Sequence, residues 1–429
     1  MRQSDPPPTP LSRQGAHRLV IDLSPASPQT TPMTDFAATA ALFRLPEGVT
    51  YLDGNSLGPL PIAAADRARH VVADEWGELL IRGWNAAGWM AAPARIGDRI
   101  ARLIGAPAGS VVMGDTLSIK VYQALASALA MRPHRRVVLS DSGNFPTDLY
   151  MAQGLLASLG PDYELRIVAP EAVADAIDES VAVTLLTEVD YRTGRRHDMP
   201  ALTARAHDAG ALAIWDLAHS AGAVEGEVAA GRADFAVGCT YKYLNGGPGA
   251  PAFIYVAPQH HDAARPALSG WMGHAAPFAF DLDYRPGAGI ERMRVGTPPV
   301  IALAVLDAAL DVWDGVAMAD VRARSIALSE AFIAGVEARC PDVPLASPRD
   351  PHARGSQVGF RHPQAYAVMQ ALIAEGVIGD FRAPDILRFG FAPLYNGPDD
   401  VAHAVDVLAD ILATGRWDRP EYHARNAVT

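Results

Sequence analysis

Two residues of opposite charge, Asp216 and Lys242, each follow an apolar run and could do chemistry together. Asp216 closes the run ALAIWD, and Lys242 follows ADFAVGCT, between two tyrosines and ahead of the turn-forming residues NGGPG. A lysine amine condenses with an aldehyde to form a Schiff base, and an ionised aspartate keeps a pyridine nitrogen protonated. The pair is therefore typical of a pyridoxal 5′-phosphate (PLP) site, although each residue alone could also be a cap or a solvated turn residue.

A phosphate-bearing cofactor also needs an anion site, and the segment MGDTLSIKVYQ (113–123) supplies a candidate. Thr116, Leu117 and Ser118 stand at a predicted helix start, where hydroxyls and free backbone N–H groups bind anions. The same residues could form an ordinary helix N-cap. The two interpretations are separated only by the Lys–Asp pair elsewhere in the chain.

Three further residues are candidates to contact the cofactor. His219 follows Asp216 in DLAHSAGA, where small residues would let a flat ligand approach the backbone. Phe145, in SGNFPTDLY, could stack on the cofactor ring. Asp148, in the same segment, could face a ligand or cap a helix.

The elements that must position these residues alternate between strand-like and helix-like patterns, which indicates an α/β domain with a mostly parallel sheet. Ligands of such sheets bind at the carboxyl ends of the strands, where the polar residues above fall. We expect helices at 61–81, 94–106, 117–131, 147–160, 199–210, 299–313, 321–340 and 399–413, and strands at 110–114, 135–140, 181–190, 211–216, 233–239, 250–256, 355–361 and 386–391.

This pattern also predicts how the chain is divided. Residues 61–312 are expected to form the large cofactor-binding domain and residues 313–429 a smaller α+β domain. Residues 34–60 would pack with the small domain. Residues 1–33 are rich in Pro, Ser and Thr, lack the apolar centre of a secretory signal, and are expected to be a disordered extension.

Bulk composition restricts the class of protein. With 429 residues, 49% of them hydrophobic and 20% charged, the chain resembles soluble globular proteins and is too long for one ordinary core. Its net charge of −12 argues against a nucleic-acid partner, and no apolar run approaches the ~18 residues that span a bilayer. Cys239 and Cys340 lack metal-ligand spacing, so we expect no bound metal and a reduced, cytoplasmic setting.

Taken together and in order, the motifs resemble those of kynureninases, from about residue 35 to the C-terminus. The segments that carry the resemblance are YLDGNSLGPLP (51–61), GWNAAGW (83–89), NFPTD (144–148), DLAHSAGA (216–223), TYKYLNGGPGAPAF (240–253), SGWMGH (269–274), RVGTPPV (294–300) and LRFGFAPLYN (387–396). Asp followed by Lys would indicate only the wider group of fold type I PLP proteins. DGNSLG, YKYLNGGPG and GWMGH are more specific.

The resemblance implies the fold of PLP fold type I, with a seven-stranded, mostly parallel sheet, and a role for individual residues. Lys242 would carry PLP, Asp216 would pair with its pyridine nitrogen, and Tyr241 would relay a proton. Arg388 would bind the α-carboxylate of the substrate, with Ser56 nearby. The remaining cofactor contacts would come from Leu117, Ser118, Phe145, Asp148, Thr187, His219, Tyr241, Trp271 and Thr297, with Thr116 as a further candidate.

The implied reaction is hydrolytic cleavage of L-kynurenine to anthranilate and L-alanine, within tryptophan catabolism. The implied assembly is a homodimer whose active site lies at the subunit interface, with Trp271 and Thr297 approaching from the second subunit. An aryl pocket of Trp84, Gly296 and Thr297 resembles the bacterial, kynurenine-preferring type. We therefore expect 3-hydroxy-L-kynurenine to react more slowly.

Two other functions are compatible with the same fold. A cysteine desulfurase-like lyase would need a reactive cysteine on a flexible loop, which neither Cys239 nor Cys340 suits. A PLP-binding sensor without catalysis is disfavoured by the intact set of Lys242, Asp216 and Arg388. The phosphate segment departs from the family at Leu117 and Lys120, which leaves open how many hydroxyls would contact the phosphate.

Overall fold

A seven-stranded sheet forms the centre of the chain in this computed structural model, which describes residues 34–425. Six strands run parallel, and Phe253–Val256 is antiparallel to both of its neighbours. In spatial order the strands are Val111–Met113, Phe253–Val256, Phe235–Gly238, Leu212–Asp216, Val181–Thr187, Val137–Asp141 and Glu164–Val168. The expected α/β class with a seven-stranded, mostly parallel sheet is therefore confirmed, with one antiparallel strand in the sheet.

Both faces of this sheet are buried, because alternate side chains of each strand enter two separate apolar clusters. Ala213 and Trp215 point to one cluster, whereas Leu212 and Ile214 point to the other. The main helices that cover the sheet are Ala92–Ile104, Leu117–Ala130, Pro146–Leu159, Met199–Asp208 and Val300–Ala309. Covered in this way, the sheet leaves the ends of its strands as the places where polar side chains can gather.

The C-terminal part contains a three-stranded antiparallel sheet, in the order Gln357–Arg361, Ile386–Gly390, Asp380–Arg382. The helices of this part are Met318–Arg339, Ala365–Ala374, Pro398–Thr414 and Pro420–His423. Strands had been expected at 355–361 and 386–391, whereas Asp380–Arg382 had not. Its register sets Asp380 directly opposite Arg388.

The N-terminal segment pairs with distant parts of the chain. Thr50–Tyr51 runs parallel to Val377–Ile378, and Phe43–Arg44 pairs with Leu60–Pro61. The Gly390 N–H donates to the Leu52 carbonyl at 2.7 Å. The loop 53–58 is thereby fixed beside the three-stranded sheet.

Several elements differ from their expected form. The single helix expected over 61–81 consists of the α-helix Ile62–His70, the π-helix Val71–Leu79 and a short 3₁₀ turn at Leu80–Arg82. The strand expected over 181–190 ends at Thr187, and the edge strand Glu164–Val168 was not expected. Short helices also occur at Phe36–Ala40, Gly83–Ala86 and Val173–Ala176.

The described residues belong to one compact unit, so the boundaries at 60/61 and 312/313 stay predictions. The expectation of disorder for residues 1–33 lies outside the described residues. Within residues 34–425, no helix combines the length and apolar character needed to cross a membrane.

Candidate active site

Asp216 and Lys242 meet at the carboxyl edge of the large sheet, as the sequence predicts. Both line a cavity of about 210 Å³ that reaches from this edge to the three-stranded sheet. The residues around it are Asn55, Ser56, Leu117, Phe145, Tyr191, Asp216, Ala218, His219, Tyr241, Lys242, Arg382 and Arg388. One cavity therefore collects the predicted anchor lysine, the strand-end carboxylate and the predicted carboxylate-binding arginine.

The turn 241–245, which carries Lys242 and is called the lysine turn below, is held by the N-terminal loop 53–58. The Gly58 N–H donates to the Tyr241 carbonyl at 2.7 Å, and the Asn245 N–H donates to the Lys242 carbonyl at 2.9 Å. Asn245 has a φ of +58°, which favours a tight turn. These contacts set the backbone from which Lys242 extends into the cavity.

A chain of hydrogen bonds defines the tautomer of His219. Gln357 Nε2 donates to the Asp190 carbonyl at 2.9 Å, so Gln357 Oε1 faces His219 Nδ1, at 3.0 Å. An amide oxygen only accepts, so Nδ1 carries the proton and Nε2 accepts from Lys242 Nζ, 2.9 Å away. Burial, and then the charge of Lys242, lower the pKa of His219 well below its ordinary value. His219 is therefore a neutral imidazole that orients the lysine amine.

Asp216 is buried beside a second carboxyl group. Its Oδ1 accepts from the Ala218 N–H at 2.8 Å, and burial raises its pKa against the opposing charge of Lys242. Burial, and then the charge of Asp216, raise the pKa of Asp148 well above the ordinary range. Because Asp216 has these partners, we assign the proton of the pair to Asp148 and the negative charge to Asp216.

Thr187 completes this polar group through the sheet register, which sets it beside Asp216. Its hydroxyl donates to Asn144 Oδ1 at 2.5 Å, whereas Asp216 Oδ2 lies 3.5 Å from the same oxygen. A hydroxyl has a single hydrogen, so the oxygen lone pairs of Thr187 remain available to a ligand donor.

The predicted anion site is the start of helix Leu117–Ala130. Thr116 is its N-cap, with Oγ1 3.5 Å from the Ile119 N–H, and Leu117 lines the cavity. The N–H groups of a first helical turn have no partner within the helix and can bind a phosphate. Burial, which raises the pKa of Tyr241 above its ordinary value, keeps that phenol protonated at the same cavity.

A buried lysine, Lys120, braces this turn. It is fully buried, and its Nζ contacts Asp115 Oδ2 at 3.0 Å, Gln123 Oε1 at 2.9 Å and the Met293 carbonyl at 3.2 Å. Asp115 adopts a φ of +56°, a conformation that side chains other than glycine rarely occupy. The ion pair thus both holds an uncommon turn and neutralises a carboxylate one residue before the anion site.

Lys120 and Lys242 are the two lysines of the entire chain. Lys120 is committed to Asp115 below the anion turn, whereas Lys242 faces the cavity. Of the two lysines, Lys242 is the one that lines the cavity, in agreement with its predicted role as the anchor.

Some predicted site residues lie outside this cavity. Trp271 is 40% exposed and contacts Phe278, with ring centroids 5.7 Å apart. Gly296 and Thr297 are exposed, and Trp84 packs edge-on against Trp89 at 5.9 Å. These four residues do not meet the lysine of their own chain.

The structure also adds residues that the sequence reasoning missed: Asn55, Asn144, Tyr191, Ala218, Gln357, Asp380 and Arg382. Most of them come from segments remote in sequence from Asp216 and Lys242, and nothing local marks their role. Asp380 and Arg382 alternate in GDFR just before Arg388, and this pattern could have been recognised as one face of a short strand.

The residues present suit PLP. Lys242 supplies an amine, Asp216 an anion for a pyridinium nitrogen, and the helix start at Leu117 a phosphate site. The buried Oδ2 of Asp148 has no hydrogen-bond partner among the described residues, as expected where a polar group of a ligand completes the network.

Comparisons with known proteins point to one family. The family model for the kynureninase C-terminal domain matches residues 321–408. A kynureninase of Burkholderia pseudomallei is 54% identical over 394 residues, covering 90% of this chain and 95% of the relative. A kynureninase of Pseudomonas fluorescens is 51% identical with the same coverage.

Among solved structures, a cysteine desulfurase of Thermococcus onnurineus NA1 superposes with a TM-score of 0.74 at 18% identity, covering 88% of this chain and 98% of its own. A complex of the cystine C–S lyase C-DES with cysteine persulfide gives a TM-score of 0.70 at 16% identity, covering 85% and 98%. At such identities the likeness concerns the fold alone.

The lysine turn leaves no room for a side chain at Gly58. A Cβ there would lie 2.4 Å from both the Lys242 carbonyl oxygen and Asn245 Oδ1. Gly58→Ala should therefore lower the free energy of unfolding by about 1–3 kcal/mol and reduce cofactor occupancy. Thermal unfolding and the visible absorbance of bound PLP measure the two effects. The control is Gly154→Ala, in the middle of helix Pro146–Leu159, where a Cβ meets no other atom within 4 Å. Equal stability and equal cofactor occupancy of the two variants would contradict the account.

Removing Lys120 should leave the Asp115 carboxylate unneutralised beside the anion turn. We expect Lys120→Met to weaken PLP binding by the apoprotein about tenfold, equivalent to ~1.4 kcal/mol. The double variant Asp115→Asn/Lys120→Met should recover most of this loss, because it removes the stranded charge. Fluorescence titration with PLP gives the affinities, and a double variant no better than Lys120→Met would refute the electrostatic role.

Proposed function

This chain belongs to the kynureninase family, and on that premise we propose that it hydrolyses the Cβ–Cγ bond of L-kynurenine to give anthranilate and L-alanine. Kynureninases are PLP-dependent hydrolases of carbon–carbon bonds, so the chain is an enzyme of that class and PLP is its cofactor. The observation that carries the proposal is the meeting of Lys242, Asp216 and Arg388 around one cavity.

PLP, when bound, supplies an electron sink for negative charge that develops at the substrate Cα. We assign Lys242 as its covalent anchor and Asp216 as the partner of its pyridine nitrogen. Leu117 and Ser118, with Thr116 and Tyr241, would hold the phosphate, and Phe145 would stack on the ring. Phe145 suits this role because it lines the cavity with 41% of its surface exposed.

The same residues would manage the protons of the reaction. Lys242 Nζ would take the proton from the substrate Cα and would later return a proton to Cα as L-alanine forms. His219, neutral and fixed by Gln357, keeps Nζ aimed into the cavity without competing for that proton. Tyr241 keeps its phenolic proton and could relay it at the same cavity.

Arg388 would bind the α-carboxylate of the substrate, with Ser56 beside it. Arg388 Nη2 donates to Ser56 Oγ at 2.7 Å, and both residues line the same cavity as Lys242. This arrangement would place the Cα of an amino acid between the carboxylate site and the lysine.

The aryl pocket would be completed by a second copy of the chain. Trp84, Trp271, Gly296 and Thr297 lie away from the cavity of their own chain, so we propose that a homodimer brings them to the partner's site. An apolar groove next to Thr297 supports such an interface. Its lining includes Trp76, which is 55% exposed, and Pro298, Pro299 and Ile301.

The wider setting is also a proposal. We place the enzyme in the cytoplasm and in tryptophan catabolism by the kynurenine pathway, where its product could serve anthranilate supply or NAD biosynthesis. We further propose the division into residues 34–60, 61–312 and 313–429. The two cysteines, both reduced and buried, are compatible with a cytoplasmic location.

A desulfurase-like lyase remains the alternative within the fold, and the cysteines disfavour it. Cys239 is 2% and Cys340 6% exposed, and burial raises the pKa of both thiols. A buried thiol held protonated is a poor nucleophile.

Turnover of L-kynurenine tests the function directly. The holoenzyme should release anthranilate, detected by its fluorescence, and Lys242→Ala should lose at least about 10²–10⁴-fold in kcat because the proton-transfer group is gone. Absence of anthranilate release by the unaltered holoenzyme would refute the proposal. Undiminished turnover by Lys242→Ala would instead refute the role of the lysine.

Substrate preference tests the proposed aryl pocket. An indole at position 84 offers no added polar partner for a 3-hydroxyl group, so kcat/KM should be higher for L-kynurenine than for 3-hydroxy-L-kynurenine, by at most about 10²-fold. Trp84→His should shift the ratio towards the hydroxylated substrate, and Trp84→Phe should not. A clear preference of the unaltered enzyme for 3-hydroxy-L-kynurenine would overturn the assignment.

A further inference from the structure

The donors of Arg388 are almost all used within the protein. Its Nε donates to Asp380 Oδ1 at 2.7 Å, and its Nη2 donates to Asp380 Oδ2 and to Ser56 Oγ. Its Nη1 donates to the Tyr191 carbonyl. A guanidinium has five N–H groups, so one remains for a substrate carboxylate.

Asp380 also removes the net charge of Arg388. The two side chains stand directly opposite on neighbouring strands and are each 1% exposed. Burial would raise the pKa of Asp380, but the Arg388 guanidinium overcomes this and keeps it below the ordinary value. The pair is therefore a buried, ionised and neutral unit, which by itself offers little attraction to an incoming anion.

A second carboxyl group, Asp53, does not add negative charge to this unit. Burial, and then the charge of Asp380, raise the pKa of Asp53 well above the ordinary range. Its buried Oδ1 has no hydrogen-bond partner among residues 34–425. The carboxyl groups of Asp53 and Asp380 share a hydrogen bond, which requires one proton, and we assign that proton to Asp53 because the arginines hold Asp380 ionised.

Arg382 is the cation that remains. It lines the same cavity as Lys242, and its side chain is 32% exposed, in contrast to the buried Arg388. Its Nη2 contacts Asp380 Oδ2 at 2.7 Å and Ser56 Oγ at 3.1 Å, and its Nε is buried without a partner in the described chain. With Asp380 shared between two arginines and Asp53 neutral, the cluster carries one net positive charge, which matches one carboxylate.

We propose that Arg382 is a second substrate-binding residue, which receives the α-carboxylate jointly with the free N–H of Arg388. Asp380 and Ser56, whose hydroxyl donates to Asp380 Oδ2 at 2.5 Å, position both arginines. This inference rests on the proposed function, since it assumes an amino-acid substrate. It differs from a single-arginine clamp because the group that supplies the net charge is Arg382.

Binding of L-alanine and L-alaninamide to the holoenzyme separates the carboxylate from the rest of the ligand. Both carry the amine that reacts with the cofactor, and L-alanine alone carries the negative charge. Followed by cofactor absorbance, Arg382→Gln should raise the dissociation constant of L-alanine about 10- to 100-fold, the effect of a lost charge-assisted hydrogen bond. The constant for L-alaninamide should not change.

The matched control is Arg361→Gln. Arg361 lies on the same three-stranded sheet, is 48% exposed and pairs with Asp385 at 2.8 Å, away from the cavity. The Arg361→Gln variant should bind L-alanine and L-alaninamide as tightly as the unaltered protein does. With L-kynurenine, Arg382→Gln should raise KM by a similar factor while kcat changes less than about threefold.

Unchanged affinity of Arg382→Gln for L-alanine would overturn the inference. Equal weakening of both ligands would also overturn it, because Arg382 would then act on the cavity rather than on the carboxylate. If Arg382→Gln does not fold, Arg382→Lys replaces it in the test. Lysine lacks the planar guanidinium, so the dissociation constant of L-alanine should still rise while that of L-alaninamide does not. These titrations need no carbon–carbon cleavage, so their failure is distinct from absent anthranilate release.

Discussion

An ionised carboxylate buried at the end of a strand is the constraint around which this site is arranged. Asp216 is 1% exposed, and a buried charge is costly unless hydrogen bonds and opposite charges compensate it. The Ala218 N–H, the proton on Asp148 and the nearby charge of Lys242 provide that compensation. A pyridinium nitrogen would add one more favourable partner, so the site is suited to hold the cofactor ring in its protonated form.

Two ion pairs support segments that contribute to the cavity. Lys120 and Asp115 hold the turn before Leu117, the predicted anion site, whereas Asp380 holds Arg388, the predicted carboxylate-binding residue. Lys242 is held by a neutral histidine rather than by a carboxylate. The reactive amine is therefore the one cation among these residues that has no acidic partner fixing it in place.

The residues predicted to react could be found from the sequence more readily than the residues and strands that position them. Asp216, Lys242 and His219 follow short apolar strands, so strand pattern and residue type alone bring them to one edge of the sheet. Gln357 was missed because its contact with His219 joins residues 138 positions apart. The strand Glu164–Val168 was missed because it lies at the edge of the sheet, where exposed and polar positions weaken the apolar signal. Trp271 and Thr297 do not line the cavity of their own chain, so their contact with the cofactor stays a prediction.

The central claim is that Lys242 alone carries the cofactor. Reduction of the holoenzyme with borohydride, followed by proteolysis and peptide mass mapping, tests it with unusual clarity, because Lys120, Lys242 and the α-amino group are the amines of the whole chain. The account predicts the reduced phosphopyridoxyl group on the peptide that contains Lys242, and on no other. A modified peptide containing Lys120, or modification confined to the N-terminus, would contradict it.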